Sequence, residues 1–60
     1  MTLEEIIKAQ IEFQEEQADL HYKMAIEEED DWFGTIATAS THAANVLRHV
    51  LREAEFMGII

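Results

Sequence analysis

The chain contains no proline, and its only two glycines stand at positions 34 and 58. Proline and glycine oppose a helix interior more strongly than any other residues, so long stretches of this chain are free to be helical. Apolar residues recur every three to four positions on both sides of the middle of the chain, which is the helical period. We therefore predict one helix from about residue 2 to 28, an acidic turn from about 29 to 34, and a second helix from about 35 to 57.

The first predicted helix carries a heptad-spaced seam of apolar residues that is interrupted by two glutamines. Thr2, followed three residues later by Glu5, is typical of a capping box at the start of a helix. The glutamines, one heptad apart, either face water or pair across a bundle and fix its register. The seam consists of Leu3, Ile6, Gln10, Phe13, Gln17, Leu20 and Met24, widened by Ile7, Ile11, Ala18 and Ala25.

Residues 27–31 are five consecutive acids. Such a run is unfavourable at the negative end of a helix dipole, the C-terminus, and favourable just before a helix N-terminus. Asp30 or Asp31 is therefore expected to cap the second helix. An alternative interpretation ends the first helix at Gly34 and caps the second with Thr35.

The second predicted helix has an apolar face wider than the stripe of about 100° that one neighbouring helix needs. Its polar residues follow a single stripe, and Gly58 fits the position just after its end. A hairpin of two helices cannot cover so wide a face by itself. The residues expected to form an oligomer interface are Ile36, Ala39, Ala43, Val46, Leu47, Val50, Leu51, Ala54 and Met57.

A chain of 60 residues forms one domain at most, and it buries only about 60% of its unfolded surface, so it usually needs further support. The chain has no cysteine, so disulfides cannot supply that support and a reducing, cytoplasmic location is expected. We predict an all-α fold, a two-helix antiparallel hairpin that self-associates, most simply as a homodimer, into a four-helix bundle. In length and topology alone, this layout resembles that of the Rop-type plasmid copy-control proteins.

The net charge of −9 comes entirely from residues 1–31, which hold eleven acids and two lysines, whereas residues 32–60 are balanced. This charge repels phosphate backbones and anionic lipid surfaces, so neither nucleic acid nor membrane is an expected partner. No run approaches the roughly 18 apolar residues of a membrane span. The expected partners are a second copy of the chain and a protein with a basic patch.

An acidic helix face beside an aromatic pair at a turn is typical of a protein-binding surface. The alternative for Trp32 and Phe33 is a hydrophobic plug that closes the end of a bundle. Carboxylates at helical spacing also imitate a row of phosphates, which fits an inhibitor encoded by a phage or mobile element. We therefore expect a non-enzymatic inhibitor, regulator or adaptor without a cofactor. Its expected partner-binding residues are Glu12, Glu15, Glu16, Asp19, Tyr22, Trp32 and Phe33.

Two alternative functions stay open. Glu12-x-x-Glu15 and Glu28-x-x-Asp31 resemble the ExxE…ExxD pattern of the MazG-type nucleotide pyrophosphatases, all-α enzymes that hold magnesium around a triphosphate. The resemblance implies that these four acids are metal ligands. The other alternative is a purely structural role as an assembly subunit. No metal site is predicted from His42 and His49, because two helical turns separate them by about 10 Å along one axis.

Overall fold

The computed structural model describes all 60 residues as two helices, α1 (Leu3–Glu28) and α2 (Asp31–Phe56). Two residues join them, and the helices pack against each other along their length as a hairpin whose Cα atoms extend over 45 × 19 × 10 Å. The predicted all-α helical hairpin is therefore confirmed. Neither helix carries an apolar stretch long enough to cross a lipid bilayer.

The outer ends of both helices are closed as the sequence predicts. The Thr2 hydroxyl accepts a hydrogen bond from the Glu5 N–H at 3.1 Å. In return the Thr2 hydroxyl, rather than the Thr2 N–H of a complete capping box, donates to the Glu5 carboxylate. Gly58 adopts a left-handed conformation with φ of 75°. Its N–H donates to the Glu55 carbonyl at 3.1 Å, and the Ile59 N–H donates to the Ala54 carbonyl at 2.9 Å. These two bonds form a Schellman motif, which satisfies carbonyls that the helix end leaves free.

The turn is shorter than predicted, because α2 begins at Asp31 rather than near residue 35. Asp30 caps it, and its Oδ1 accepts a hydrogen bond from the Trp32 N–H at 2.9 Å. α1 ends at Glu28, and its C-cap, Glu29, takes a left-handed conformation with φ of 52°. The alternative cap at Thr35 is wrong: Gly34 and Thr35 lie within α2. The acidic run satisfies both helix ends within two residues, so no longer loop is needed.

The seam between the helices differs by one residue from the seam predicted for α1. Only four side chains are buried, Ile11 and Ala18 of α1 and Ala37 and Ala44 of α2. Because three of the four are alanines, the helices can approach closely along this line. The half-buried residues that flank it are Ile7, Gln14, His21, Ala25, Phe33, Ser40, Leu47, Leu51 and Ala54.

The predicted α1 seam instead lies mostly in the open, with Leu3, Ile6, Phe13 and Leu20 exposed. From Ile6 to Met24 on α1 and from Trp32 to Val50 on α2, each of these positions immediately precedes a seam residue, and in an antiparallel pair the positions that precede the seam turn to the same side. Together they form one broad side of the hairpin, here called the apolar face. Its members are Leu3, Ile6, Gln10, Phe13, Gln17, Leu20 and Met24 of α1 and Trp32, Ile36, Ala39, Ala43, Val46, Val50 and Met57 of α2, with Glu53 as the one charged residue in the same row.

The opposite side, here called the polar face, carries acids of α1 and polar or basic residues of α2. The ion pair between Glu15 and Arg48 crosses it. Ala18 and Thr41 border the same groove on this side, which places the two faces on opposite sides of the seam. The members of the polar face are Glu12, Glu15, Asp19, Tyr22, Thr38, Thr41, Asn45, Arg48 and Arg52.

Candidate interaction surfaces

The apolar face is uncovered along its whole length. Phe13 is 51% exposed, Leu20 50%, and Val46 and Val50 46% each. The face follows both helices of a hairpin 45 Å long, whereas monomeric proteins rarely expose contiguous apolar patches larger than a few hundred Å². Between Leu3 and Met24 on α1 the face has no charged residue, so it is built to be covered rather than solvated.

Two amides break this face. Gln10 is exposed and Gln17 half-buried, and neither side-chain amide has a hydrogen-bond partner within the chain. The Gln17 backbone carbonyl is engaged, because it lies 2.7 Å from His21 Nδ1. In an isolated hairpin water satisfies both amides. In a covered face they need partners, because a buried amide without a hydrogen bond costs about 1–3 kcal/mol.

The expected oligomer interface divides between two surfaces. Six of its residues lie on the apolar face, where Ile36 and Ala43 are half-buried and the other four are exposed. The remaining three, Leu47, Leu51 and Ala54, are half-buried in the seam between α1 and α2. Those three therefore contribute first to packing within the hairpin. The six on the apolar face are Ile36, Ala39, Ala43, Val46, Val50 and Met57.

Sequence reasoning missed the α1 half of this surface. The sequence pattern places Leu3, Ile6 and Phe13, with Leu20, on the apolar seam of the first helix, and the predicted oligomer interface includes none of them, yet all four are exposed. The signal that points to them is the width of the apolar region on α1, where two adjacent stripes of apolar residues run side by side. One helix partner needs only one such stripe, and the second stripe requires another partner.

The polar face contains an open groove whose floor is made by the alanines of the seam. Ala18 and Ala37 form the floor, and Asp19 and Tyr22 stand beside it. On α2, the hydroxyls of Thr38 and Thr41 donate to backbone carbonyls four residues back, each at 3.0 Å, so they are satisfied within the helix.

The charges on this face are partly neutralised. Arg48 pairs with Glu15 and donates to Asn45 Oδ1 at 3.1 Å. Near the outer end of the hairpin, Lys8 pairs with Glu4 at 2.9 Å. That hydrogen bond, helped by the negative charge of Glu4, raises the pKa of Lys8 above its ordinary value of 10.5. The unpaired acids are therefore concentrated towards the turn.

The turn is the most acidic part of the molecule, with five consecutive acids and no ion pair to any of them. Phe33 is half-buried and stacks on His21 with ring centroids 6.2 Å apart, and Trp32 packs edge-on against Phe33 at 5.5 Å. Trp32 itself is 63% exposed at the end of the apolar face. Phe33 thus closes the turn end of the seam, while Trp32 is free to touch a partner.

The seven expected partner-binding residues do not share one surface. Glu12, Glu15, Asp19 and Tyr22 lie on the polar face, and Glu16 lies next to them on the outer side of α1. Trp32 lies at the end of the opposite, apolar face, and Phe33 lies in the seam. The structure therefore offers two separate regions for contact, an acidic side and an apolar side that ends at the tryptophan.

The acids of the pyrophosphatase-like pattern are not brought together within one chain. Glu12 and Glu15 lie in the middle of α1, whereas Glu28 and Asp31 border the turn. Glu28 lies thirteen positions after Glu15 on the helix, a rise of about 20 Å. His42 and His49 are exposed on the outer side of α2, and no group of three or more acids or histidines is placed to hold a metal ion.

No protein-family model, curated protein or solved structure matches this chain. The apolar face, the polar face and the acidic turn are the features of this chain that bear on its function.

Proposed function

We propose that this protein is a non-catalytic, acidic interaction protein that works as a homodimeric four-helix bundle and binds a protein with a basic patch. The observation that carries the proposal is the apolar face, on which large side chains of both helices are about half exposed. Burial of apolar surface contributes roughly 25 cal/mol per Å². Covering this face is the largest source of stability that the hairpin leaves unused.

The hairpin alone has little to hold it together. Four buried residues, three of them alanines, form its whole core. No disulfide supports the chain. Small domains of this kind commonly gain their stability from oligomerisation, and a second copy is the partner that is always present.

The charges indicate what a dimer binds. Covering the apolar faces leaves the polar faces and both acidic turns in water, on an assembly whose two chains carry −9 each. Such a surface attracts a positively charged protein and repels nucleic acid. An inhibitor, a regulator or an adaptor would each bind its basic partner through this acidic surface. An inhibitor that imitates a row of phosphates would use the same carboxylates.

Self-association is tested by sedimentation equilibrium of the native chain and of two variants. Val50→Asp places a charge on the apolar face, and burying an unpaired charge costs several kcal/mol. We expect the native chain to be a dimer and the Val50→Asp dimer to dissociate and unfold in one transition. Asn45→Asp introduces the same charge on the polar face, and this variant should remain a folded dimer. A native chain that is a folded monomer at micromolar concentration contradicts the proposal.

Partner binding is tested with a protein captured from the native host and then purified. We expect the complex to weaken roughly tenfold or more when salt rises from 0.05 to 0.5 M, because screening removes the attraction between exposed charges. The variant Glu12→Gln with Asp19→Asn should bind more weakly than Thr35→Ala, a substitution at an exposed position outside the polar face. A complex insensitive to both salt and the acids contradicts an acidic binding surface.

A further inference from the structure

The α1 half of the apolar face has the same chemical pattern in both directions. Read from either end, it runs through two aliphatic or thioether side chains, an amide and a phenyl ring, with Phe13 at the centre. A two-fold interface brings one patch against its own copy, so it requires such self-complementarity. An antiparallel second α1 would place Gln10 against Gln17 of the second copy, and Ile6 against Leu20.

The α2 half of the face has a centre of the same kind at Val46. Ala43 and Val50 lie on either side of Val46, and Ile36 and Met57 lie further out, all without charge. The one unmatched pair in this row is Ala39 and Glu53, each seven residues from Val46. An antiparallel second α2 would therefore pair Ala43 with Val50 of the second copy and Ile36 with Met57. Val46 would meet itself.

The two centres lie at the same height in the hairpin. An ideal Cβ on Gly34 would lie 3.9 Å from the Ala25 Cβ, so these two residues are level with each other. Twelve residues back from Ala25 is Phe13, and twelve residues on from Gly34 is Val46. One two-fold axis, perpendicular to the helices, therefore satisfies both patterns at once.

The distribution of charge favours the same arrangement. Residues 16–43, the half near the turn, carry seven acids and one lysine for a net charge of −6, and the remaining residues carry six acids and three bases for −3. Turns at the same end would bring the two −6 halves together. Turns at opposite ends place each −6 half beside the −3 half of the second copy. The two acidic turns are then separated by roughly the 45 Å length of the hairpin, far beyond the screening length of about 8 Å at physiological salt.

The broad side of the hairpin has room for a stable dimer interface. Its Cα dimensions of 45 Å by 19 Å give a footprint of about 850 Å², enough to hold the roughly 800 Å² per partner that a standard specific interface buries. Glu53 is the only charged residue along the α2 half of this face, so a partner selected by charge would find little to recognise here. A second copy fits the surface in area, pattern and charge.

Building on the proposed function, we infer that the second copy lies on the apolar face with its turn at the opposite end. The two-fold axis then lies in the interface, runs across the helices and passes both Phe13 and Val46. In this arrangement α1 packs on α1 and α2 on α2. Gln10 and Gln17 of opposite copies satisfy each other's amides, and this contact fixes the register. Both acidic turns then extend freely at the two ends of the bundle, where a basic protein can reach them.

Because the chain has no cysteine, single cysteines test this geometry directly. A disulfide forms only where Cβ atoms come within about 3.5–4.5 Å. We expect Val46→Cys and, independently, Phe13→Cys to form disulfide-linked dimers roughly tenfold or more faster than Glu16→Cys, which reports random collisions from the outer side of α1. A mixture of Ile6→Cys and Leu20→Cys should form the mixed dimer in preference to either self-linked dimer.

The other outcomes separate the inference from the proposed function. If turns lie at the same end, α1 packs on α2 of the second copy, so a mixture of Leu20→Cys and Ala39→Cys links rapidly and Val46→Cys does not. That result overturns the inferred arrangement and leaves the proposed dimer standing. The same conclusion follows if the chain is a dimer but neither Val46→Cys nor Phe13→Cys forms a disulfide faster than Glu16→Cys. Sedimentation of the uncross-linked native chain as a folded monomer overturns both.

Discussion

Individual residues decide where the two helices stop, and one of them does so at a cost. Glu29 is the only residue other than glycine with a positive φ, at 52°. The left-handed conformation brings Cβ close to the following carbonyl oxygen and costs roughly 1–2 kcal/mol for an ordinary residue. The turn requires this conformation because only one residue separates the end of α1 from the cap of α2.

Replacing this residue with glycine should stabilise the protein. Glu29→Gly removes the steric cost, although glycine also gains freedom in the unfolded chain, so we expect a net gain of about 0.4–1 kcal/mol. Glu28→Gly is the matched control, because it removes the same charge from a residue that is helical and should destabilise. Urea unfolding at one fixed protein concentration measures both. Equal effects of the two substitutions would mean that charge, not backbone conformation, decides the outcome.

Most of the end signals could be predicted at this scale. Thr2, Asp30 and Gly58 act as predicted because capping depends on a side chain and the backbone within three residues of it. The left-handed Glu29 could not be predicted, since glutamate has no preference for that conformation. It is imposed by the docking of α2 immediately beyond it.

At the scale of the helices, alanines determine how α1 and α2 meet. Ala44 is completely buried and Ala37 is 3% exposed, so the backbones approach closely along this line. Larger side chains elsewhere on α2 fall on either side of the contact. The seam therefore follows the smallest residues rather than the most apolar ones.

Enlarging the most buried alanine should force the helices apart. We expect Ala44→Leu to destabilise the fold by about 1–3 kcal/mol, because overpacking a filled contact requires backbone shifts. Ala9→Leu adds the same atoms at an exposed position of α1 and should change stability by no more than about 0.5 kcal/mol. Thermal unfolding followed by circular dichroism compares them. A neutral Ala44→Leu would show that the seam is not close-packed.

At the scale of the whole molecule, one side of the hairpin is apolar while the chain carries a net charge of −9. Association through the apolar face brings two such charges together, so the repulsion opposes the dimer. The electrostatic interaction with a basic partner is instead attractive. Salt must therefore act on the two proposed interactions in opposite directions.

We expect the dimer to tighten several-fold as sodium chloride rises from 0.05 to 0.5 M, because screening weakens repulsion between the copies. Neutralising two turn acids, in Glu27→Gln with Glu28→Gln, should reduce this dependence. Sedimentation equilibrium at a series of salt concentrations gives the dissociation constants. A dimer that loosens with salt would mean that ion pairs, rather than apolar contacts, hold the two copies together.

The sequence by itself determined that the chain forms two helices, where their outer ends lie, and that they fold back as a hairpin. These features follow from helical periodicity, from the positions of glycine and capping residues, and from the dipole that places acids before α2. Each depends on residues close together in the chain. The start of α2 was misplaced by four residues because its position depends on how α2 docks.

Only the tertiary structure decided which apolar stripe of α1 is covered. The stripe through Ile11 and Ala18 and the stripe through Phe13 and Leu20 are adjacent on the same helix and similar in apolar character. The choice between them depends on Ala37 and Ala44, which allow the closest approach of α2 and lie about 26 residues further along the chain. That long-range contact buries the first stripe and leaves the second exposed as half of the apolar face.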